Sequence, residues 1–222
     1  VRYCMSAMFR PCGDVHVVAR YSYHCWDGRL DASWAEDVMR DDDDRDDQRW
    51  MRKALALAEV SNGHTSPNPA VGSVVVRHGV CVGAGYHPRA GEPHGEVFAL
   101  REAGDRAKGA TLYTTLEPCS HTGRTPPCAD LIVDRGVARV VSALEDPDVR
   151  VSGRGHARLR DAGVVVCVGV LAAEAGRTHG AYMRWKRTGL PFVTMKVAMS
   201  LDGKTATTSG ESQWITSGAA RL

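Results

Sequence analysis

Apolar residues recur at helical spacing from Trp50 onward and then give way to alternating runs. The helical pattern ends at Asn62-Gly63, a typical C-terminal stop signal. Two β-type runs follow at 71–77 and 80–86, and His78-Gly79 between them predicts a hairpin. The helical pattern places Met51, Ala54, Leu55 and Ala58 on one face of the first helix, which is the face expected to be buried.

Helical and strand patterns alternate along the next part of the chain. Short runs rich in β-branched residues, valine or threonine, predict strands, and each is preceded by a segment with helical periodicity. This alternation is typical of an α/β domain with a sheet flanked by helices. The predicted order is helix 94–103, strand 110–115, helix 129–134, strand 139–143, helix 156–161 and strand 164–168.

The two ends of the chain differ from this central region. Residues 1–48 show no sustained apolar period and include the acidic run 41–47, which predicts a disordered or extraneous leader. The segment 49–170 is assigned to one α/β domain, and a helix within 171–190 is interpreted as a linker. An apolar strand at 192–198 predicts that another domain begins at 191, although about thirty residues cannot bury a core alone.

Composition narrows the class of protein. The chain has 222 residues, 43% of them hydrophobic and 24% charged, with a net charge of +2. This charge is too small for a dedicated nucleic-acid binder, and no run reaches the roughly 18 apolar residues of a membrane span. Seven cysteines, an odd number, favour cytosolic thiols or metal ligands over a disulfide framework. With no secretory signal pattern, we expect a cytoplasmic protein that acts on a small molecule.

Three candidate metal ligands stand in a distinctive pattern. His94, Cys119 and Cys128 can supply one nitrogen and two sulfurs to a tetrahedral Zn²⁺, which leaves its fourth position for water. Glu96 follows His94 by two residues, so its carboxylate can reach that water and move protons during hydrolysis. The pattern H-x-E followed by P-C and a second cysteine is typical of zinc nucleobase deaminases. A structural zinc site or a set of buried thiols is the alternative.

The spacing of the two cysteines departs from the short C-x-x-C of that signature. Eight residues, 120–127, separate Cys119 from Cys128, and both ends would be held by one metal. We therefore expect a loop at the rim of the site that reads the substrate. Arg124 offers a fork of donors suited to phosphate or a ring carbonyl, and His121 lies nearby. A solvent-facing loop position is the alternative for each residue.

Several motifs together resemble one family, from about Met51 to the end of the chain. It is the bifunctional riboflavin-biosynthesis family, in which a diaminohydroxyphosphoribosylaminopyrimidine deaminase is joined to a 5-amino-6-(5-phosphoribosylamino)uracil reductase. The long cysteine spacing is part of this resemblance. The motifs are Pro67-Asn68-Pro69-Ala70-Val71-Gly72, the segments 110–113 and 116–128, Asp146-Pro147, Ser200-Leu201-Asp202-Gly203-Lys204 and Ser212-Gln213-Trp214-Ile215-Thr216.

The resemblance implies a cytidine-deaminase-like three-layer α/β/α domain with a central mixed sheet. It implies that the 2-amino group of a phosphorylated pyrimidine is replaced by oxygen, with zinc on the three ligands above and Glu96 as the proton donor. Family members commonly self-associate, so a homo-oligomer is also an expectation. Asn68 is expected to hold the pyrimidine edge, although a turn residue between two prolines is its alternative. The implied contacts to the ring or its ribosyl phosphate are His87, His121 and Arg124.

The last part of the chain resembles the first strands of the family's α/β reductase domain. By that resemblance Ala198 and Trp214 would contact NADPH and Ser212 would lie near the substrate. Because the chain stops at Leu222, we expect a truncated reductase, with NADPH bound only if that domain were complete. Two further hypotheses remain. One is a deaminase of cytidine or of adenosine in tRNA, and the other is an inactive zinc-binding fragment.

Overall fold

A five-stranded mixed sheet forms the centre of the first part of the molecule. The computed structural model describes residues 33–121, 126–213 and 217, and the chain divides into two units after Leu190. The strand order is β2-β1-β3-β4-β5; β1 is antiparallel to β2 and β3, while β3, β4 and β5 are parallel. The strands are β1 (Gly72–Arg77), β2 (Val80–Tyr86), β3 (Thr111–Thr114), β4 (Arg139–Ser142) and β5 (Val165–Val168).

Six α-helices accompany the sheet in the described part of the chain. The predicted hairpin and the alternation of helices and strands that follows it are confirmed, with element ends shifted by at most two residues. Within these ranges, no helix is both long and apolar enough to cross a bilayer. The helices are α1 (Ser33–Val60), α2 (Gly95–Ala103), α3 (Cys128–Asp134), α4 (Arg154–Asp161), α5 (Ala172–Thr178) and α6 (Gly180–Thr188); a 3₁₀ helix, Gly104–Ala107, follows α2.

The helices cover both faces of the sheet, which confirms the three-layer arrangement. Successive side chains of a strand point to opposite faces, so neighbouring residues join different cores. Leu112 of β3 lies in a cluster with residues of α2, α3 and α4. The next residue, Tyr113, lies in a second cluster with Trp50 and Met51 of α1 and Ala175 of α5.

The acidic run 41–47, predicted to belong to a disordered or extraneous leader over 1–48, is part of helix α1; residues 1–32 of that predicted leader lie outside the described residues. Asp47 is buried in this helix, and its carboxylate accepts hydrogen bonds from Tyr113 Oη at 2.8 Å and from Arg139 Nη1 at 2.7 Å. The second carboxylate oxygen is paired with Arg139 Nη2. A buried charge is stable only when it is paired and hydrogen-bonded, and both partners here come from the sheet. The folded region therefore begins before residue 47.

Replacing Asp47 by asparagine is expected to lower the free energy of unfolding by about 2–3 kcal/mol. The amide keeps one acceptor oxygen but presents an NH₂ group to the Arg139 guanidinium. The expected loss is at the low end for a buried ion pair, because the Arg139 side chain is still 31% exposed. Urea unfolding measures it, and Asp46→Asn, at an exposed position of the same helix, is the control. Equal midpoints for the two variants would contradict this role.

The predicted linker helix is two helices, and both belong to the first unit. Helix α5 buries Ala175 and α6 buries Met183, while His179 lies buried at the break between them. Gly180, a poor helix former, follows the break. Further contacts tie α6 to the loop after β4, since Tyr182 donates to Asp146 at 2.9 Å. The segment 171–188 is therefore packed onto the sheet domain.

Burial of His179 predicts that stability falls in acid. Burial lowers the pKa of this imidazole to about 4, below its ordinary value near 6.5. Between these two pH values the imidazole of His179 binds a proton in the unfolded chain but stays neutral in the folded chain. The free energy of unfolding therefore declines as the pH falls from about 6.5 to 4, by up to about 1.4 kcal/mol per pH unit.

Thermal melts from pH 7 to pH 4.5 test this expectation with His179→Gln. Burial also lowers the pKa values of His87 and His156, so only part of the slope should disappear. The matched control is His64→Gln, because His64 is exposed. A pH slope unchanged by His179→Gln would show that this imidazole is not the cause.

The second unit, Pro191–Leu222, contains turns and no regular strand among its described residues 191–213 and 217. Residues 192–198, predicted to form a strand, form no regular element, and Phe192, Val193, Met195 and Val197 are exposed. A strand needs a hydrogen-bonding neighbour, and the described part of this unit offers none. One predicted tight turn is present, where Gly203 N–H donates to the Ser200 carbonyl at 3.0 Å.

Candidate metal centre and active-site pocket

His94 stands at the start of α2, held against the edge of the hairpin. It is the N-cap residue, with extended backbone angles of φ −73° and ψ 162°. The next residue, Gly95, leaves no room for a side chain, since a Cβ there would lie 2.7 Å from the Val71 carbonyl oxygen. This close approach fixes the direction in which the helix leaves the sheet. It thereby fixes the position of the His94 imidazole.

The two cysteines meet where β3 ends and α3 begins. Cys119 follows the carboxyl end of β3, and its carbonyl oxygen accepts the N–H of Ala129 at 3.1 Å. Cys128 is the first residue of α3, and its N–H donates to Cys119 Sγ at 3.3 Å. Unpaired N–H groups at a helix N-terminus favour negative charge on a nearby sulfur. The start of α3 therefore lies directly beside Cys119.

The structure brings the three predicted metal ligands together. His94 Nδ1 lies 3.3 Å from Cys128 Sγ and 3.6 Å from Cys119 Sγ, and all three atoms lie within 4.8 Å of one another. Tetrahedral bonds of about 2.0 Å to nitrogen and 2.3 Å to sulfur would separate the nitrogen from each sulfur by roughly 3.6 Å. Buried beside them, Glu96 has a carboxylate oxygen, Oε2, with no hydrogen-bond partner. The donor set and this orphaned oxygen fit a zinc ion.

Of the three candidate ligands, only Cys119 favours its deprotonated form. Hydrogen bonds from Cys128 and His94 lower the pKa of Cys119 to about 4, so this sulfur is a thiolate. The hydrogen bond to Cys119 raises the pKa of His94 to about 9. Sharing its proton with Cys119, and being buried, raises the pKa of the Cys128 thiol. A metal ion would displace the protons of His94 and Cys128, because only the deprotonated groups are ligands.

Glu96 is positioned for acid–base work. It lies in the first turn of α2, is 2% exposed, and lines the same pocket as His94 and Cys119. Burial raises the pKa of its carboxyl to about 7, against the opposing influence of the His94 charge. A carboxyl group with a pKa near neutrality can both accept and return a proton at physiological pH.

Asn68 and His87 form one hydrogen-bonded unit on the pocket wall. His87 is buried, which lowers its pKa and keeps the imidazole neutral, and its Nδ1 lies 3.0 Å from the Pro93 carbonyl oxygen. A carbonyl only accepts, so Nδ1 carries the proton and Nε2 accepts from Asn68 Nδ2 at 3.1 Å. This chain of hydrogen bonds fixes the orientation of the Asn68 amide.

The pocket also contains residues to which the sequence assigned no role in the site. His121, a predicted contact residue, lines the pocket, and so do Asp146, Asp148, Tyr182 and Lys186, of which only Asp146 belongs to a family motif. Asp146 comes shortly after β4, at the carboxyl edge of the parallel strands, where such sheets generally form their sites. Tyr182 and Lys186 are four residues apart on α6, a spacing that places both side chains on one face. These two signals could have found them.

Four other predicted site residues are not tested by the structure. Arg124 and Trp214 fall outside the described residues. Ala198 and Ser212 belong to the second unit, where both are exposed. Their expected contacts with NADPH or substrate therefore stay predictions. The structure brings together His94, Glu96, Cys119, Cys128, Asn68, His87 and His121.

Two family models match the chain. The model described as the cytidine and deoxycytidylate deaminase zinc-binding region matches residues 44–144 and so begins within the acidic run. The model of the RibD C-terminal domain matches residues 191–222. These matches coincide with parts of the two units of the structure.

Full-length relatives extend the similarity. The chain is 54% identical over 175 residues to riboflavin biosynthesis protein RibD of Escherichia coli, a match covering 79% of this chain and 48% of the relative. Identity to RibD of Synechocystis is 53%, over the same fractions of both chains. The solved structure of Acinetobacter baumannii RibD has a TM-score of 0.75 at 49% identity, covering 80% of this chain and 50% of that one. The chain spans about half the length of the curated relatives it matches.

Proposed function

Because this chain belongs to the RibD family of riboflavin-biosynthesis proteins, we propose that its first unit is a zinc-dependent deaminase. Its proposed substrate is 2,5-diamino-6-(5-phosphoribosylamino)pyrimidin-4(3H)-one. The products are 5-amino-6-(5-phosphoribosylamino)uracil and ammonia. The observation that carries this proposal is the cluster of His94, Cys119 and Cys128 beside the buried carboxyl of Glu96, in one pocket.

In the proposed reaction, water adds to the ring carbon that bears the amino group, and ammonia then leaves. His94, Cys119 and Cys128 would hold the zinc ion. When bound, zinc supplies Lewis acidity that activates water near neutral pH. Glu96 takes one proton from the attacking water, transfers it to a ring nitrogen, and helps to deliver a proton to the departing amino group. The atoms balance, because the oxygen of water replaces the amino nitrogen on the ring carbon and that nitrogen leaves as ammonia.

Asn68 and His87 support recognition of the ring. With its Nδ2 engaged by His87, Asn68 keeps Oδ1 as an acceptor for an N–H of the substrate. In this proposal His87 acts through Asn68, which refines the direct ring contact predicted for it. A hydrogen bond of this kind discriminates strongly, because a ligand lacking the matching donor leaves a buried acceptor unpaired.

Cations on the pocket wall support a phosphorylated substrate. Lys186 and Arg150 line the pocket and share Asp148 as ion-pair partner, each at 2.7 Å. The Arg150 side chain is 63% exposed, so a phosphate can reach its guanidinium fork from solvent. We propose that Arg124 and His121 add contacts to the ring or the phosphate, as the family motif implies.

The exposed free thiol of Cys81 supports a reducing compartment such as the cytoplasm.

The second unit is proposed to be the start of a reductase domain. Residues 191–222 match the RibD C-terminal domain model, which supports this assignment. Contacts of Ala198 and Trp214 with NADPH, and of Ser212 with substrate, are proposed only for a chain that carries the whole of that domain. Self-association, common in the family, likewise stays a prediction.

An ammonia-release assay on the zinc-loaded chain tests the proposed activity. Three substrates separate the hypotheses: the diaminopyrimidine ribotide, the same compound without its phosphate, and cytidine. We expect the ribotide to react with the highest kcat/KM, the dephosphorylated compound to react more weakly, and cytidine to be inert. Faster release from cytidine would favour a nucleoside deaminase. No release from any substrate by zinc-loaded protein would favour an inactive zinc-binding fragment.

A further inference from the structure

Glu117 is a buried carboxylate that the proposed reaction does not use. Its side chain is fully buried two residues before Cys119. Oε1 accepts the N–H groups of Gly155 at 2.8 Å and His156 at 3.2 Å. Oε2 accepts those of Gly153 at 2.9 Å and Asp146 at 3.2 Å. The Glu117 carboxylate thus accepts four hydrogen bonds from backbone N–H groups of two segments.

Three of these donors belong to the start of α4. The first N–H groups of a helix have no partner within the helix, and the N-cap residue Gly153 has no side chain to cap them. Glu117 supplies the missing cap from the segment that follows β3. His156 adds a contact, with Nδ1 3.8 Å from Oε2, and its Nε2 is held 3.0 Å from Ser142 Oγ.

The backbone next to Cys119 packs closely against the same first turn of α4. A Cβ added to Gly155 would lie 2.0 Å from the Pro118 carbonyl oxygen, so this position admits only glycine. Pro118 is therefore held between the Glu117 anchor and the metal ligand Cys119. The fourth donor, Asp146 N–H, belongs to the pocket wall, where the Asp146 carboxylate accepts from Tyr182.

We propose that Glu117 is the positioning residue of the metal centre. Its hydrogen bonds to α4 and to Asp146 hold the Glu117–Cys119 segment in place, so that the Cys119 sulfur is already positioned for the metal. The inference rests on the proposed function in taking His94, Cys119 and Cys128 as zinc ligands. Without this anchor the Cys119 sulfur would have to be ordered by the metal itself, at a cost in affinity. Partners that orient metal ligands typically account for about 10–100-fold in affinity.

Glutamine at position 117 is a sharp probe of this arrangement. Its side chain has nearly the same shape, but only one end accepts while the NH₂ end donates. Each oxygen of Glu117 receives two N–H groups, so in either amide orientation an NH₂ would face two donors. Glu145→Gln is the matched control, because Glu145 is exposed and lies beside the same helix start.

The experiment measures zinc affinity of the full chain by competition with a chromophoric chelator, together with the visible spectrum of the Co²⁺-loaded protein. We expect Glu117→Gln to bind zinc about 10–100-fold more weakly than the parent. Its sulfur-to-cobalt charge-transfer band should weaken, although circular dichroism at the assay temperature remains native. Glu117→Asp retains two acceptors on a shorter stem and should show a smaller loss. Glu145→Gln should match the parent.

Parental zinc affinity in both Glu117 variants would overturn the proposal. Loss of the fold in both variants would assign Glu117 a purely structural role and would overturn it as well. Failure of the proposed function is recognised separately. In that case the parent chain binds zinc tightly but releases no ammonia from the ribotide, while the difference in affinity between parent and Glu117→Gln persists.

Discussion

Replacing Glu96 by glutamine is expected to slow ammonia release by about two to four orders of magnitude, with zinc retained. Glutamine has almost the volume of glutamate, so the buried site beside His94 keeps its packing. An amide cannot accept the proton of water and return it to the ring or the leaving group. Since His94, Cys119 and Cys128 remain, the metal stays bound.

Steady-state kinetics with the ribotide, paired with zinc analysis of the same sample, tests this expectation. The control is Glu102→Gln on the same helix, where the amide oxygen can still accept the Ala84 N–H that now binds Glu102 at 2.8 Å. We expect this control to retain parental turnover. Turnover by Glu96→Gln within threefold of the parent would remove Glu96 from the mechanism.

Replacing Cys128 by serine is expected to reduce bound zinc from about one ion per chain to almost none, and to abolish turnover. The hydroxyl is close to the thiol in size but is a poor zinc ligand at neutral pH. Cys128 is buried where α3 begins, so a solvent-exposed side chain cannot replace its sulfur as a zinc ligand. His94 and Cys119 alone leave the ion with two protein ligands.

Metal analysis by plasma mass spectrometry after dialysis measures the loss, and circular dichroism checks the fold. Cys81→Ser is the control, because Cys81 is exposed in β2 and belongs to no cluster of potential metal ligands among the described residues. One zinc ion per chain in Cys128→Ser would place the metal elsewhere.

Local pattern was sufficient to predict the sheet domain and the cluster of three candidate metal ligands. Strands β3, β4 and β5 are short runs of mostly apolar or β-branched residues between helical segments, and the sequence shows this alternation directly. The meeting of His94, Glu96, Cys119 and Cys128 in one place was predictable for a different reason. Their chemistry requires particular residue types near particular element ends, whatever the rest of the fold.

Residues whose role depends on distant partners were not predictable in this way. Asp47 stands in an acidic run that resembles a solvated tail, and only the folded chain brings it to Tyr113 and Arg139. Glu117 is similar, because its four donors come from residues 146–156, on the far side of α3 and β4 in sequence. Tertiary hydrogen bonds override local tendencies at both positions.

X-ray absorption at the zinc edge, on the purified chain, tests the central claim most directly. Two sulfur neighbours at about 2.3 Å and two nitrogen or oxygen neighbours at about 2.0–2.1 Å are the predicted shell, which corresponds to Cys119, Cys128, His94 and one position open to solvent. A shell of three or four sulfurs, or a chain that holds no zinc, would contradict the assignment of this pocket as a zinc-dependent deaminase site.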